Sequence, residues 1–486
     1  MSALDAPAER LGARAVRNTM FVLGARIVSR LVSLVVVIVL ANALGADGYG
    51  RYTTLIALSG LVAVVADLGF SPLYTREAAR SPSQLGDYLG TMLLVKLVLS
   101  AAAFGILAMT LGLVGLVTLI VPGGCLLVAT AYANLLRNSF YAVGRAEFDA
   151  IAIVGEIAIQ AALILYGAHA HVSVSFYVWA YTASFVFTII YSLTVIRIFG
   201  LGRVRFSLGL PLIRKWLPLA LPFGLTFFLT NLYFRADVPI LQHFRPFAEI
   251  GWYQFAYKPF EALQFIPLAI QAVVYPLLGV YYINDPTRLQ LGYQRFFKVL
   301  VLLGWPLTVG TFVLAHPISR LFRLFPESEP ALRILAFGIV FLFANSAFYA
   351  MLNATNRQAF NAWATGLAAV INIILNLILI PSFGYLAASA NTVLTECSLC
   401  VFGWWFVQRR ARHLRLPWLR LSWRVLAAGT VTGAVLYPLA GLPLYVSATS
   451  GALVYLISIY VLRAVEPVEW ELARRGLLAR LGPHQV

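Results

Sequence analysis

The sequence has little charge for its length. Only 11% of its 486 residues are charged, whereas 61% are hydrophobic. A soluble domain usually has about 25% charged residues, so this chain lacks the polar side chains that would cover a water-exposed surface. A mean hydropathy of +0.84 leads to the same conclusion. The composition excludes a cytosolic enzyme and an intrinsically disordered chain.

Cysteine is also scarce, with three in the whole chain. This number excludes a disulfide-stabilised secreted scaffold. Cys397 and Cys400 have the C-x-x-C spacing but lie in an apolar run, where cysteine packs as a small hydrophobic residue. No second cysteine or histidine pair has metal-ligand spacing. We therefore expect no metal site and no resident cofactor.

Long apolar runs are what the sequence has instead. A membrane-spanning helix needs about 20 apolar residues, and no loop here is long enough for a separate soluble domain. We predict an all-α, polytopic membrane protein with about 14 transmembrane helices. The predicted spans are 20–41, 52–71, 88–111, 113–136, 148–167, 173–196, 217–241, 251–280, 297–315, 332–353, 361–381, 384–407, 423–440 and 443–462.

The basic residues predict the orientation of these spans. Lys and Arg number 36 against 19 Asp and Glu, which gives a net charge of +17. With both termini in the cytoplasm, most basic residues fall in cytoplasmic segments, and the external loops hold only Arg51, Arg245, Arg320 and Arg323. Basic loops beside anionic lipid account for the charge, so we expect membrane lipids and no nucleic acid as partners.

An internal repeat divides the chain. Gly50-x-Tyr52 follows the first span and Gly251-x-Tyr253 follows the seventh, each preceded by an acidic residue in an external turn. Arg145 and Arg357 each precede a phenylalanine by three residues in cytoplasmic turns. Both pairs keep the same side of the membrane, so the repeat is parallel. We predict two six-helix lobes, 1–205 and 206–407, followed by 408–486 with a basic loop, helices 13 and 14 and a cytoplasmic tail.

Two lobes with a cleft between them are typical of an alternating-access transporter, not of an enzyme. A charged residue in a span costs at least about 2.5–3.5 kcal/mol, so such residues mark a cavity or pathway. The predicted substrate-binding residues of the cavity are Arg26, Arg30, Lys96, Asn231, Arg235, Lys258 and Gln264. The predicted coupling or gating residues are Asp67, Glu156, Asp237, Glu261 and Glu396.

Two of these interpretations have structural alternatives. Arg26 could extend to the inner membrane interface, and Lys258 with Glu261 could form a self-neutralised pair within one helix. The cations nevertheless outnumber the acids among the residues of the predicted cleft. One arginine side chain can donate two parallel hydrogen bonds to phosphate oxygens. This balance of charge therefore predicts an anionic ligand such as a pyrophosphate group.

Three segments in the first 80 residues are similar to those of a known family. They are Leu44–Gly50 after the first helix, Ala66–Gly69 at the end of the second, and Arg76–Arg80 after it. Their order resembles Wzx-type polysaccharide or O-antigen flippases of the multidrug/oligosaccharidyl-lipid/polysaccharide exporter superfamily. The resemblance implies a transporter in the bacterial inner membrane. Its substrate would be an undecaprenyl-pyrophosphate-linked oligosaccharide for surface polysaccharide such as lipopolysaccharide or exopolysaccharide.

The resemblance also implies details of the mechanism. Related lipid II flippases are thought to bind pyrophosphate through cavity arginines, one of them in helix 1, where Arg26 and Arg30 are the matching positions. A proton or sodium gradient is the implied energy source, a polysaccharide polymerase is a candidate partner, and we expect a monomer.

Two alternatives stay open. A drug/cation antiporter of the same superfamily would place carboxylates in the cleft. A membrane-embedded polymerase, ligase or glycosyltransferase would need a catalytic external loop. The longest external loop, 315–331, carries Glu327 and Glu329 between prolines and is predicted to be an exposed turn.

Overall fold

The computed structural model describes residues 5–199, 204–207, 209–321, 325–410 and 414–465. The described ranges contain α-helices, short 3-10 turns and connecting loops, with no β-strand. Helices suit a lipid environment because they satisfy every backbone hydrogen bond internally. The all-α, polytopic membrane architecture predicted from the sequence is thus confirmed.

The helices follow one another with short connections. The first eight are α1 Asp5–Asp67, α2 Phe70–Arg80, α3 Leu85–Leu113, α4 Ile120–Ala142, α5 Ala146–Ala170, α6 Val174–Ile198, α7 Leu210–Arg235 and α8 Asp237–Phe244. The next eight are α9 Phe247–Leu263, α10 Phe265–Asn284, α11 Pro286–Val313, α12 Ala315–Leu321, α13 Ser328–Ala354, α14 Gln358–Arg410, α15 Trp418–Leu439 and α16 Leu444–Val461.

Eleven helical segments in the described ranges are long and apolar enough to cross a membrane. Two of them, within α1 and α14, contain a kink at a glycine with positive φ, at Gly45 (67°) and Gly384 (58°). Each kink divides one long helix into two arms, and one predicted span falls on each arm. The span 52–71 also runs on into α2. The chain is a multi-pass membrane protein, and the count of 14 spans stays a prediction.

The motif after the first span lies inside a helix. Residues 47–52 are helical and begin the second arm of α1, so the turn there consists only of the kink at Gly45. Residues 249–253 likewise lie in the first turns of α9. The sequence predicted turns at both places. At the first, a glycine with positive φ gives the same sequence signal as a loop. At the second, the break lies at Arg245 and Pro246, just before α9 begins.

Two predicted spans are interrupted by proline. The segment 217–241 is divided at Ala236 into α7 and α8, and 251–280 is divided at Gln264 into α9 and α10. Proline has no N–H to bond the carbonyl four residues earlier. Pro239 therefore leaves the Arg235 carbonyl without its helical donor, and Pro267 does the same to Leu263.

The chain forms two compact units. The first contains Met1–Phe255 with Ala369–Ala388, and its aromatic core includes Phe70, Tyr74 and Phe140. The second contains Ala256–Ala368 with Ser389–Val486, and its core is built around α11 and α13. The lobe boundaries at 205 and 407 stay predictions, and the tail beyond 465 lies outside the described residues.

The kink of α14 belongs to the first unit and has its own pair of caps. Arg245 donates from Nη2 to the Pro381 carbonyl (2.8 Å), on the arm that ends. Glu249 accepts from the Tyr385 N–H (3.2 Å), on the arm that begins. Arg245 Nη1 and Glu249 Oε1 lie 3.7 Å apart, so these two side chains also form an ion pair. Backbone groups exposed by the kink are thus satisfied by one Arg–Glu pair.

Candidate functional site

An open cavity of about 360 Å³ lies in the first unit, between the second arm of α1 and helices α2, α3, α4, α6 and α7. Three ionisable side chains line it, Asp67, Lys96 and Arg235, all of them predicted site residues. Its other polar lining residues are Ser59, Ser71, Thr130, Asn134 and Tyr181. Leucines, alanines and phenylalanines make up most of the remaining wall, so the charges lie in a largely apolar chamber.

Asp67 and Lys96 form a buried ion pair. The Lys96 side chain is 3% exposed, and its ammonium group contacts Asp67 Oδ1 and, at 3.5 Å, the Ala66 carbonyl. Asp67 ends α1, and Leu68 and Gly69 then turn the chain through positive φ into α2. At this helix start the Asp67 carboxylate accepts from the Ser71 N–H (3.3 Å) and from the Ser71 hydroxyl.

Arg235 reaches the same cavity from the end of α7. Its Nη1 donates to the Ile56 carbonyl at 3.1 Å, across to the second arm of α1. Gly60 provides the space for the guanidinium, because a Cβ at this position would lie 2.8 Å from Arg235 Nε and 2.9 Å from Cζ. The Ile56 carbonyl, which carries no charge, and the space beside Gly60 therefore position the guanidinium group.

Arg26 lies outside this cavity, against a second polar cluster of the first unit. Its Nη2 is 3.3 Å from the Tyr141 hydroxyl, which also bonds to the buried Asp149. Arg137 joins Asp149 (2.6 Å) to Glu156 (3.3 Å). Glu156 also accepts from the Thr188 hydroxyl, at 3.0 Å. Glu156, predicted as a coupling residue, is thus held in a charge-balanced network.

Arg137 and Asp149 were not predicted from the sequence as site residues. The predicted fourth span, 113–136, ended just before Arg137, whereas α4 runs from Ile120 to Ala142. The chain reverses at Gly115, which has φ 76°, and this displaces the helix by about two turns. The second glycine of Gly112-x-x-Gly115 is the signal that could have placed the boundary correctly.

The other predicted residues of the first unit do not line the cavity. Arg30 lies on an exposed face of α1. Asn231 donates to the Phe227 carbonyl at 2.9 Å within its own helix. Asp237 is buried, where its carboxylate accepts from the Tyr253 hydroxyl and from the Val238 N–H (2.9 Å). Asn231 and Asp237 thus have local partners outside the cavity, and the roles predicted for them stay predictions.

The remaining predicted residues belong to the second unit. Lys258 and Glu261 form an ion pair of 2.7 Å one helical turn apart, which is the arrangement of the self-neutralised alternative. Gln264 stands at the break between α9 and α10, with its Nε2 buried and unbonded. Glu396 is 4% exposed and accepts from Asn345 Nδ2 at 2.7 Å.

No group of three or more histidine, cysteine, aspartate or glutamate residues with metal-binding geometry occurs in the described part of the chain. The three cysteines are free and partly buried. The chemistry that this arrangement offers is electrostatic, because Lys96, Arg235 and Asp67 lie in a largely apolar chamber.

Comparisons with known proteins agree with this description. Residues 15–281 match the family described as "Polysaccharide biosynthesis protein", and residues 222–378 match MatE. An uncharacterized membrane protein, MJ1068 of Methanocaldococcus jannaschii, is 26% identical over 162 residues, which are 32% of this chain and 32% of that protein. The chain therefore matches only about a third of the length of this curated relative.

Solved structures show the same fold. The lipid II flippase MurJ in an inward closed conformation matches with a TM-score of 0.73 and 16% identity, over 91% of this chain and 98% of that chain. An inward-facing multidrug resistance MATE family transporter matches with a TM-score of 0.64 and 15% identity, over 80% of this chain and 98% of that chain. The predicted fold is thus confirmed, and it is the fold of both of these transporters. The chain belongs to the polysaccharide biosynthesis protein family.

Proposed function

We propose that the protein is a flippase that moves a lipid-linked oligosaccharide across the bacterial inner membrane, for surface polysaccharide biosynthesis. The observation that carries the proposal is the convergence of Lys96 and Arg235 on one cavity whose only acidic lining residue in the described chain is Asp67. The cavity has a net charge of about +1 and so attracts an anion. The match to the polysaccharide biosynthesis family supports a glycan-bearing substrate.

The substrate head group would bind through its pyrophosphate. At about 4 Å and an effective dielectric constant of about 20, a cation and a phosphate charge attract each other by about 4 kcal/mol. The planar Arg235 guanidinium is suited to a phosphate because it can donate two parallel hydrogen bonds. A cavity of about 360 Å³ holds a ligand of small-molecule size, which fits the diphosphate and adjoining sugar. The polyprenyl tail would remain in the bilayer.

Transport would proceed by alternating access, in which the ligand shifts the balance between two conformations by binding one of them better. The energy source in this proposal is a proton or sodium gradient. A polysaccharide polymerase is the proposed partner of a monomeric protein. The basic residues of the connecting segments support cytoplasmic termini through the positive-inside rule.

The test uses a strain whose own flippase gene is deleted, with surface polysaccharide measured after complementation. We expect Arg235→Ala and Lys96→Met to lower the polysaccharide at least tenfold at unchanged protein abundance. The matched control is Arg288→Ala, an exposed arginine with a 73% exposed side chain paired to Asp285. Wild-type polysaccharide with both cavity variants would contradict the proposal.

The same strain tests the drug/cation antiporter alternative. Such a protein needs an available carboxylate, whereas Asp67 is paired with Lys96 in this cavity. Resistance to cationic dyes that depends on Asp67, without an effect on polysaccharide, would favour the antiporter.

A further inference from the structure

We propose that Asp67 is an internal counter-ion, which holds Lys96 while the cavity is empty and releases it to a phosphate group of the ligand. This inference rests on the function proposed above. Both side chains line the cavity, and Lys96 is 3% exposed. A buried ammonium group without a partner is strongly unfavourable, so an anion-binding lysine in this chamber needs a substitute anion between transport cycles.

Ser71 makes the exchange feasible. Its N–H and its hydroxyl both donate to the Asp67 carboxylate. When Lys96 turns toward a phosphate, these two donors remain and keep the buried carboxylate satisfied. The exchange also limits affinity, because each binding event must first break the Lys96–Asp67 pair. A transporter needs this limit since its ligand must leave on the other side.

The experiment measures binding of inorganic pyrophosphate to the full chain in lipid nanodiscs by calorimetry. Asp67→Asn removes the competing charge, and we expect about tenfold tighter binding, as for the loss of one charge-assisted competitor. Ser71→Ala takes away the hydroxyl that stabilises Asp67 after release, and we expect weaker binding by at least threefold. Asp87→Asn, at an exposed carboxylate, is the matched control and should change nothing.

Tighter binding by Asp67→Asn together with weaker binding by Ser71→Ala identifies Asp67 as a counter-ion. If Asp67 only stabilised the structure, both variants would bind pyrophosphate more weakly. Unchanged or weaker binding by Asp67→Asn would overturn the inference. If that variant does not fold, Ser71→Ala decides: weaker binding supports the inference and unchanged or tighter binding rejects it. Wild-type protein without pyrophosphate affinity, or with affinity that Arg235→Ala does not lower, would reject the proposed function instead.

A second, independent observation concerns the two repeated Gly-x-Tyr motifs, which meet within the first unit. A Cβ on Gly50 would lie 1.8 Å from the Phe247 carbonyl oxygen, and a Cβ on Gly251 would lie 2.1 Å from the Ala46 carbonyl oxygen. Gly50 therefore packs on the backbone four residues before Gly251, and Gly251 packs on the backbone four residues before Gly50. Such reciprocal contact is the mark of a local two-fold axis.

We infer that this crossing of α1 and α9 is a pivot during transport. Backbone packed on backbone cannot separate without opening a gap, but at Gly50 and Gly251 no side chain of the glycine stands between the helices to prevent a small rotation. Transport should therefore tolerate a covalent link at this point. This inference also rests on the proposed function.

The test links Arg51→Cys to Phe247→Cys with a short bifunctional thiol reagent, after replacement of the three native cysteines. The native side chains are in contact, with the guanidinium carbon 4.8 Å from the ring centroid. We expect linked protein in proteoliposomes to keep at least half of its transport of a fluorescent lipid-linked oligosaccharide. A link between Ala63→Cys and Phe227→Cys, across the cavity, should abolish it.

Loss of transport in the Arg51–Phe247 pair, restored by cleavage of the linker, would overturn the pivot. Absence of transport by the unlinked, cysteine-free protein and the wild type alike would reject the proposed function.

Discussion

Gly60→Ala should inactivate the proposed flippase without changing its charge. The added Cβ would lie 2.8–3.0 Å from three atoms of the Arg235 side chain. Ordinary carbon contacts are about 3.5–4.0 Å, so the guanidinium must move by about 0.5–1 Å. Its hydrogen bond to the Ile56 carbonyl is 3.1 Å long, and such a displacement takes it to or beyond the limit of a hydrogen bond.

The expected magnitudes differ for folding and for transport. Alanine in place of a helical glycine gains about 1 kcal/mol of helix propensity, and the lost hydrogen bond to a charged group costs about 1.5–3 kcal/mol. The free energy of unfolding should therefore fall by only about 0.5–2 kcal/mol. Transport should fall at least tenfold, which corresponds to about 1.4 kcal/mol of lost anion binding.

The assay is polysaccharide complementation with protein abundance measured in parallel, and Gly60→Ala is compared with Arg235→Ala. Gly105→Ala in α3 is the matched control because nothing beyond the neighbouring backbone of its own helix lies within 4 Å of its added Cβ. Full transport by Gly60→Ala, beside inactive Arg235→Ala, would refute the argument that the position of the guanidinium matters.

Two further predictions concern stability. Arg137→Met leaves the buried Asp149 uncompensated and should cost about 3–5 kcal/mol, seen as loss of monodisperse protein in fluorescence-detected chromatography. The double variant with Asp149→Leu should recover part of this loss, and no recovery would contradict the pairing. Gly384→Ala puts a Cβ at φ 58° and 2.2 Å from Glu249 Oε2, so the thermal midpoint should fall by several degrees. Glu249→Gln, which keeps an acceptor for the backbone cap, should lower it less, and the reverse order would contradict the cap.

The sequence predicted the fold well because the membrane imposes a simple rule. A run of about 20 apolar residues must be helical, and every predicted span contains helix in the described structure. The ends of the helices were less predictable next to glycines with positive φ. At Gly45 the helix continues through a kink, and at Gly115 the turn falls later than the apolar pattern suggested.

The candidate site was predictable as a set of residue types but not as an arrangement. Lys96, Asp67 and Arg235 were recognisable because ionisable residues are costly in a span. The contact between Lys96 and Asp67 could not be predicted, because it depends on how α1 and α3 pack against each other in the folded chain. The role of Gly60 was invisible, because a glycine in a helix has no sequence signature for the side chain it accommodates.

The partner of each buried cation determines what it can contribute to anion binding. Lys258 has a carboxylate one turn away, and Arg137 is shared between two carboxylates, so both are locally neutralised. Lys96 is neutralised by an acid that also lines the cavity, and in our proposal a ligand phosphate takes the place of this acid. Arg235 bonds to a carbonyl, which orients the guanidinium without cancelling its charge. In the proposed mechanism, attraction of the ligand therefore depends first on Arg235, and Lys96 adds its charge only after Asp67 has released it.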